Sequence, residues 1–485
     1  MYSKFGQFID GKWTEAEKKE TYEVINPATE EIIGNASKAS SVDVQKALKS
    51  AQLGLEIWKN TDPWTRSNVI RKIADLIREK KEVLAKWMAM ENGKPLLEGL
   101  AEANGSADIF EWNSEETKRI FGQTVESRNK NTRIHVYYQP VGVVAALVPW
   151  NFPLILASRK ISTALAAGCS VICKPDVITP GTVMELVDIC REAGVPPGVV
   201  NLLSGDPPSI SNELLESDIV KKVSITGSTR VGKLILKKAA DKVQRVTMEL
   251  SGHSPFIVFD DVDINKVADM AISAKFRNNG QVCISPNRFY IQENKKQEFI
   301  TAFIDRTKKL KIGNGIDEGT QLGPLTTAKR LAEIEDLVEI TKKEGAKVLL
   351  GGKRPPGFNK GFFYEPTVFD EVKDNFTIMS QEPFGPLVPM LSFKSFDEVI
   401  ERANNNDLGL CSYIYTNSMD KANRASELME TGTVAVNTHQ VPLAEAPFGG
   451  IKQTGYGREG GSMAIKDYLN VKYTLSLIHI SEPTR

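Results

Sequence analysis

From Gly142 onward the chain alternates short, almost wholly apolar runs with longer amphipathic ones, and few folds accept that rhythm. Val143–Val148 reads as a strand, Leu154–Ala167 as a helix, Ser170–Cys173 as a strand, Gly181–Ala193 as a helix and Val200–Leu203 as a strand. Val223–Thr226 is a further strand, and a helix opens at Thr229. A strand without polar alternation is buried on both faces, and strands joined through helices form a parallel sheet covered on both sides. Such a sheet binds ligands outside the carboxyl ends of its strands. After Asp260 a second strand–helix series runs to about Leu443. Ahead of Gly142, Gln7–Trp13 and Tyr22–Ile25 read as strands broken by Asp10-Gly11 and Asn26-Pro27. Thr61-Asp62-Pro63 opens a helix in which Ile70, Ile73, Ala74 and Ile77 recur at helical spacing.

Composition narrows the function. The 485 residues suffice for about three domains at roughly 150 residues each. Lys+Arg and Asp+Glu both number 61, so the basic excess of a nucleic-acid binder is missing and no such partner is expected. The longest apolar run, Val141–Trp150, is about half of the roughly 20 residues a membrane span needs. The N-terminus has no apolar signal region, and five scattered cysteines make no disulfide framework. The expectation is a reduced, cytoplasmic enzyme.

Several segments carry possible chemistry. Gly227-Ser228-Thr-Arg-Val-Gly232-Lys233 follows a strand and opens a helix, but Leu234 stands where a phosphate-binding loop needs a hydroxyl. What remains is a glycine turn at a helix N-terminus, either a pyrophosphate site or a plain turn. Asp261, Asp263 and Asn265 hint at a calcium loop, but Lys266 and Ile272 occupy its glycine and glutamate positions. Cys283 lies among Gly, Gln, Ser and Asn in a polar turn between a helix and a strand, a poor core address and a fair one for a nucleophile. Cys169, Cys173 and Cys190 sit in apolar patterns and read as packing. A cysteine–histidine hydrolase would need His135, His253 or His439 as base, and none has a local signature. Glu249 ends an apolar strand, where it is either an ion-paired structural acid or a general base whose pKa burial raises. In Pro149-Trp-Asn-Phe-Pro153, Asn151 projects where a strand ends, as an Asx turn or as an oxyanion donor.

Together these segments resemble the aldehyde dehydrogenase superfamily: VPWNFP (148–153), Lys174-Pro175, ITGSTRVG (225–232), MELSG (248–252), FRNNGQVC (276–283), QEPFGP (381–386) and PFGGIKQTGYGREGG (447–461). The family's glutamate and cysteine motifs stand 34 residues apart, and 283 − 249 = 34. The likeness runs from about Phe8 to Tyr473. It implies that Cys283 attacks an aldehyde, that Asn151 and the Cys283 backbone N–H hold the oxyanion, and that hydride passes to a nicotinamide. Glu249 would then activate the water that hydrolyses the thioester. Lys160 and Glu459 match positions proposed to assist proton transfer. For the cofactor, Trp150 and Lys174 would meet the adenosine ribose region, Gly227 and Ser228 the pyrophosphate, and Glu382 with Phe384 the nicotinamide end. NAD or NADP is expected. Val177 stands where NAD-preferring members often carry a glutamate, which tips the balance slightly to NADP, and Asp176 could partly restore the repulsion.

The substrate motifs are most similar to those of succinate-semialdehyde dehydrogenases, which bind a far-end carboxylate through two arginines, matched here by Arg159 and Arg277. Either arginine could instead pair with a structural acid. Ser285 replaces a second cysteine found two residues after the nucleophile in many members, so no disulfide switch is expected. The loop 437–446 departs from the usual version, and Val441-Pro-Leu443 with Gly455-Tyr-Gly457 looks more like α-ketoglutaric semialdehyde dehydrogenases. A broad-specificity aldehyde dehydrogenase is the further alternative.

The implied fold class is α/β. A doubly wound Rossmann-like cofactor domain covers 1–119, 141–251 and 450–466, and an α/β catalytic domain covers 252–449. A small β oligomerisation flap covers 120–140 and 467–475 and would pair with another subunit in a homodimer or homotetramer. No metal is expected. Leu475–Arg485, LSLIHISEPTR, resembles a translated sequencing-library adapter and is left out of the functional reading, with His479.

Overall fold

Two sheets organise the chain, whose computed structural model describes residues 2–129 and 132–477. The first sheet has eight strands. Five are parallel, in the spatial order Val200–Leu202, Ser170–Lys174, Val143–Leu147, Val220–Thr226, Arg245–Glu249. The order reverses between Val143–Leu147 and Val220–Thr226, and a doubly wound sheet opens its ligand crevice at such a point. Gln7–Ile9 and Lys12–Thr14 add an antiparallel hairpin at one edge. Its turn, Asp10-Gly11, has both φ angles positive (53° and 74°), the conformation a two-residue hairpin favours.

The apolar strands divide their side chains as a period of two requires. Val143, Ala145 and Leu147 join one core with Val44, Leu214 and Ile235 from the helices Ser41–Lys59, Pro207–Glu216 and Thr229–Asp241. Val144 and Ala146 point the other way, into a core with Ile70, Leu154 and Val183 from Pro63–Glu79, Pro153–Ala167 and Pro180–Ala193.

The second sheet runs Lys347–Leu350, Thr367–Asp370, Leu387–Phe393, Pro286–Gln292, Ser254–Val258, Cys411–Tyr415, Thr433–Val436, parallel except at its first, antiparallel edge. Phe256, Val258 and Tyr413 share the core of Val144, so one apolar cluster runs between the sheets. A three-stranded antiparallel sheet projects from them, with Arg133–Pro140 between Gln123–Glu126 and Leu469–Ser476. Leu475 and Ser476 extend its last strand opposite Ile134 and Arg133, while 478–485, with His479, lie outside the described residues. Among the described residues no helix is long and apolar enough to cross a membrane.

Carboxylates from neighbouring elements cap two key helices. The helix Pro180–Ala193 has no side-chain cap of its own. Buried Glu91 accepts from Gly181 N (2.6 Å), Thr182 N (3.0 Å) and the Thr182 hydroxyl (2.7 Å), and Tyr2 donates to the same group. Glu91→Ala strips a buried helix start of its acceptor. Urea unfolding should then show a loss of about 2 kcal/mol or more; an unchanged midpoint would mean that water replaces the carboxylate there.

Candidate active site

A cavity of about 630 Å³ opens where the strand order reverses. The turns after Val143–Leu147 and Val220–Thr226 bring Trp150, Asn151, Gly227 and Ser228 to its wall, and the second unit brings Cys283, Glu382 and Phe384.

Cys283 reaches this wall through an unusual backbone. Asn278, Asn279 and Gly280 have successive φ values of 46°, 55° and 74°. Only glycine, and to a lesser extent Asn or Asp, enters this left-handed region without large cost, which accounts for the Asn-Asn-Gly order. The turn is held by Asn278 N donating to Glu98 Oε2 (2.7 Å), Asn279 Nδ2 to Gly323 O (2.9 Å) and Thr326 N to Gln281 Oε1 (2.9 Å). A Cβ at Gly252 would lie 2.1 Å from the Cys283 carbonyl oxygen, so the strand-end segment after Glu249 meets the cysteine loop with no space between them.

The Cys283 thiol donates to Glu249 Oε1 at 2.9 Å. Burial pushes the thiol well above its ordinary pKa, the Glu249 charge pushes further, and the Arg277 charge pulls back. Burial also raises Glu249, and the Glu459 carboxylate adds to the rise. The Cys283 thiol is therefore held protonated beside a carboxylate that burial makes more basic, and Glu249 is its hydrogen-bond partner.

The row of hydrogen bonds continues beyond Glu249. Thr226 Oγ1 donates to Glu249 Oε2 (3.1 Å) and accepts from Lys160 Nζ (2.8 Å). Lys160 pairs with Glu459 Oε1 at 2.5 Å, and Ser224 donates to the same oxygen at 3.1 Å. All these groups are buried. Glu249 is thus hydrogen-bonded at both oxygens without a direct ion pair.

Asn151 makes no Asx turn. Its Nδ2 donates to Gln281 O at 3.2 Å, which turns the amide towards the cysteine loop. Arg159 and Arg277 approach the thiol from other elements. Arg159 Nη1 donates to the backbone oxygen of Glu459 (3.0 Å), and buried Nη2 has no partner among the described residues. Arg277 lies over the Phe152 ring, 4.5 Å from its centroid, and none of the hydrogen bonds or ion pairs among the described residues involves its side chain. Neither arginine has a carboxylate in ion-pair reach among the described residues, although the Glu459 and Glu249 charges act on Arg159 and the Glu98 charge lies near Arg277.

The proposed cofactor residues fall in two groups. Trp150 packs edge-on against Phe384 with ring centroids 5.5 Å apart. Glu382 accepts from Gly252 N at 3.2 Å, and burial lifts its pKa to about 7. Ser228 caps the helix Thr229–Asp241 by accepting from Val231 N (3.3 Å). The Gly227 N–H is committed to Glu249 O (3.0 Å), so Gly227 supplies room and no donor. Lys233 is held by Gln453 Oε1 (2.7 Å), in keeping with the failed phosphate-loop match. Lys174 stands at the end of the next strand, buried and with no acid in ion-pair reach among the described residues. The cavity, a capped helix start, two facing rings and an unpaired ammonium fit a dinucleotide.

Other candidates resolve simply. Asp263 caps the helix Ile264–Phe276, accepting from Asn265 N and Lys266 N. Cys169, Cys173 and Cys190 are buried in packing. The residues that the sequence reading passed over are Thr226, Asn278, Lys94, Glu98 and Glu102. Lys94 Nζ donates to Asn151 O (2.8 Å) and pairs with Glu102. Lys94 lies in the turn between the helices Lys81–Glu91 and Leu96–Thr117, and Glu98 and Glu102 lie on the second; charged residues in such a pattern read as surface, yet Lys94 and Glu102 are buried.

The fold and the nucleophile loop belong to a recognised class. The sequence model of the Aldehyde dehydrogenase family matches residues 13–474. The glutarate-semialdehyde dehydrogenase of Pseudomonas putida is 40% identical over 96% of this chain and 96% of its own. The NADP(+) succinate-semialdehyde dehydrogenase of Escherichia coli is 38% identical, again over 96% of each chain. The crystal structure of succinate-semialdehyde dehydrogenase from Burkholderia pseudomallei superposes with a TM-score of 0.96 at 38% identity, over 98% of each chain. The chain belongs to the aldehyde dehydrogenase family and is an oxidoreductase.

The electrostatics make a signed prediction. Glu249→Gln removes a negative charge from the thiol, so the Cys283 pKa falls. Iodoacetamide should then alkylate the variant faster than the wild type at pH 8, and the apparent pKa of the alkylation profile should move down. A rise would show that Glu249 promotes thiolate formation at rest.

Proposed function

We propose that this chain oxidises an aldehyde with a far-end carboxylate to the acid, with succinate semialdehyde favoured and NAD or NADP as coenzyme. Cys283 attacks the carbonyl carbon while its proton passes to Glu249. Asn151 Nδ2 and the Cys283 backbone N–H stabilise the oxyanion, where a single donor is worth about 10²–10³ in rate. Bound in the cavity, the coenzyme supplies the hydride acceptor. Oxidation leaves a thioester on Cys283. Glu249 first gives up the thiol's proton to the row of Thr226, Lys160 and Glu459, then takes a proton from the attacking water and returns it to the Cys283 thiolate that leaves as the acid forms. Trp150, Lys174, Ser228, Glu382 and Phe384 would hold the coenzyme, with Gly227 leaving it room.

The observation that carries the substrate class is the pair of arginines with no acid in ion-pair reach among the described residues. Both stand near enough to Cys283 for the charges to interact. Arg159 is buried with Nη2 lacking an acceptor, and Arg277 is half-buried with its guanidinium against a ring; an incoming carboxylate would offset the cost of the buried, unpaired N–H groups. The relatives named for glutarate and succinate semialdehydes point the same way. Initial rates with succinic, glutaric and α-ketoglutaric semialdehydes and with butanal test this. The acids should lead, and their ratio sets the chain length. Arg277→Ala should raise KM for the acids about 100-fold and leave butanal within about threefold. Equal rates for butanal in the wild type would end the carboxylate reading.

The coenzyme preference leans to NADP. Val177 brings no negative charge, and Asp176 Oδ1 is engaged by Ile178 N at 3.0 Å, while Lys174 has no acid in ion-pair reach among the described residues. Val177→Glu should shift the ratio of kcat/KM values about tenfold towards NAD, the equivalent of about 1.4 kcal/mol of repulsion. A wild type already strongly selective for NAD would overturn the lean.

The projecting sheet supports a dimer or tetramer. Val471 and Tyr473 share one face of its outer strand and are 68% and 67% exposed. An open edge with such a face invites strand pairing with a second copy. Val471→Lys/Tyr473→Lys should sediment as a smaller species than the wild type.

A further inference from the structure

We infer that Lys94, paired with Glu102, is a positioning residue for the oxyanion donor: it clamps the turn that carries Asn151. The inference rests on the reading of Asn151 above.

The Lys94 side chain is fully buried and makes three contacts. It pairs with Glu102 Oε2 (2.5 Å), donates to Asn151 O (2.8 Å) and faces the Phe152 ring, 3.9 Å from its centroid. The other Glu102 oxygen accepts from Leu154 N (3.0 Å) and Ile155 N (3.1 Å). Ammonium and carboxylate thus grip the turn from both ends, one on the carbonyl of Asn151 and the other on the first amides of the helix Pro153–Ala167.

A helix start alone does not call for a cation. A Ser, Thr, Asp or Asn at the N-cap would serve, yet Phe152 stands there without a side-chain cap bond. Burying an ammonium costs several kcal/mol before pairing. What the cation adds is a donor on the Asn151 carbonyl, which fixes the peptide plane behind the catalytic amide. Asn278 Nδ2 donates to the same carbonyl at 3.0 Å, so the cysteine loop shares the anchor.

The base of the clamp is also fixed. Gly93 has φ 88°, and a Cβ there would lie 2.7 Å from Pro324 and 2.9 Å from Pro27. Asn92 donates to Trp150 O (3.3 Å) and to Thr326 Oγ1 (3.1 Å). Thr326 N reaches Gln281, whose carbonyl accepts the Asn151 amide. The ring of contacts closes on the side chain it positions.

A mutant cycle tests the inference with four full-length enzymes: wild type, Asn151→Ala, Lys94→Met/Glu102→Gln, and all three changes together. The Gln retains an oxygen for the two helix amides, and no charge is left unpaired. The pair variant should lose about 10- to 100-fold in kcat, with KM for aldehyde and coenzyme within about threefold. The combined variant should be no more than about threefold slower than Asn151→Ala, because the clamp acts only through that amide. Multiplying losses, or a pair variant as fast as the wild type, would overturn the positioning role. A loss below about tenfold for Asn151→Ala alone would instead remove the oxyanion reading. If the pair variant does not fold by circular dichroism, Glu102→Gln replaces it in the cycle under the same criterion.

Discussion

Everything at this site depends on two sheets meeting along a seam with no room for a side chain. The Gly252 hydrogen that faces the Cys283 carbonyl stands where a Cβ would come within 2.1 Å, and at Gly280 a Cβ would come within 2.3 Å of Gly385 O. The thiol and the carboxylate come from different sheets: Glu249 ends a strand of the first, and Cys283 precedes one of the second. The close backbone approach at Gly252 brings the short Cys283 and Glu249 side chains within hydrogen-bond distance. One extra methyl group at the seam would separate them by more than a hydrogen bond can span. The left-handed turn at 278–280 is the local cost of that approach, and Asn and Gly keep it small.

Charge in the seam is arranged by alternation. Running outward from the thiol, Glu249 is followed by neutral Thr226, then Lys160, then Glu459. Placing the ammonium directly on Glu249 would hold that carboxylate ionised and well solvated, a poor base. The intervening hydroxyl keeps Glu249 hydrogen-bonded while burial and Glu459 raise its pKa. Desolvation is the largest influence on both partners of the thiol pair; the Glu249 charge adds to it at Cys283 and the Glu459 charge at Glu249, while Arg277, Arg159 and Lys160 pull back.

Much of the fold was legible in the sequence because unbroken apolar strands leave few options. Val143–Leu147 feeds two cores on opposite faces, which only a sheet covered on both sides permits. The proposed trio stood out in the sequence because Glu249 ends an apolar strand and Asn151 and Cys283 lie in turns beside regular elements, where a polar residue has little packing reason to be. The proton path was half legible: Lys160 and Glu459 came from resemblance, whereas Thr226 looks like any strand terminus. Lys94, Glu98 and Glu102 were invisible. Charged residues at helical spacing are ordinarily solvated, and no local pattern shows that a distant turn will cover them. The Gly227 turn was legible as a site but not in its detail, since its amide is spent on Glu249 O.

The two unpaired arginines separate a structural explanation from a functional one. Ion pairing is abundant elsewhere in the chain, and Arg71, Arg78, Arg402 and Arg424 each hold acids at the surface. Those pairs are worth little each, because water solvates either partner nearly as well. Arg159 is in the opposite position: buried, with Nη2 lacking an acceptor, where a partner would matter most. Arg277 rests on Phe152, the ring that Lys94 also faces; Lys94 is paired with Glu102, whereas Arg277 feels the Glu98 charge without an acid in ion-pair reach among the described residues. Folding energy alone would favour an apolar residue at either position. On the substrate reading proposed above, an incoming carboxylate would account for both charges, and the contact of Arg277 with Phe152 would tie recognition of the far end to the turn that carries Asn151.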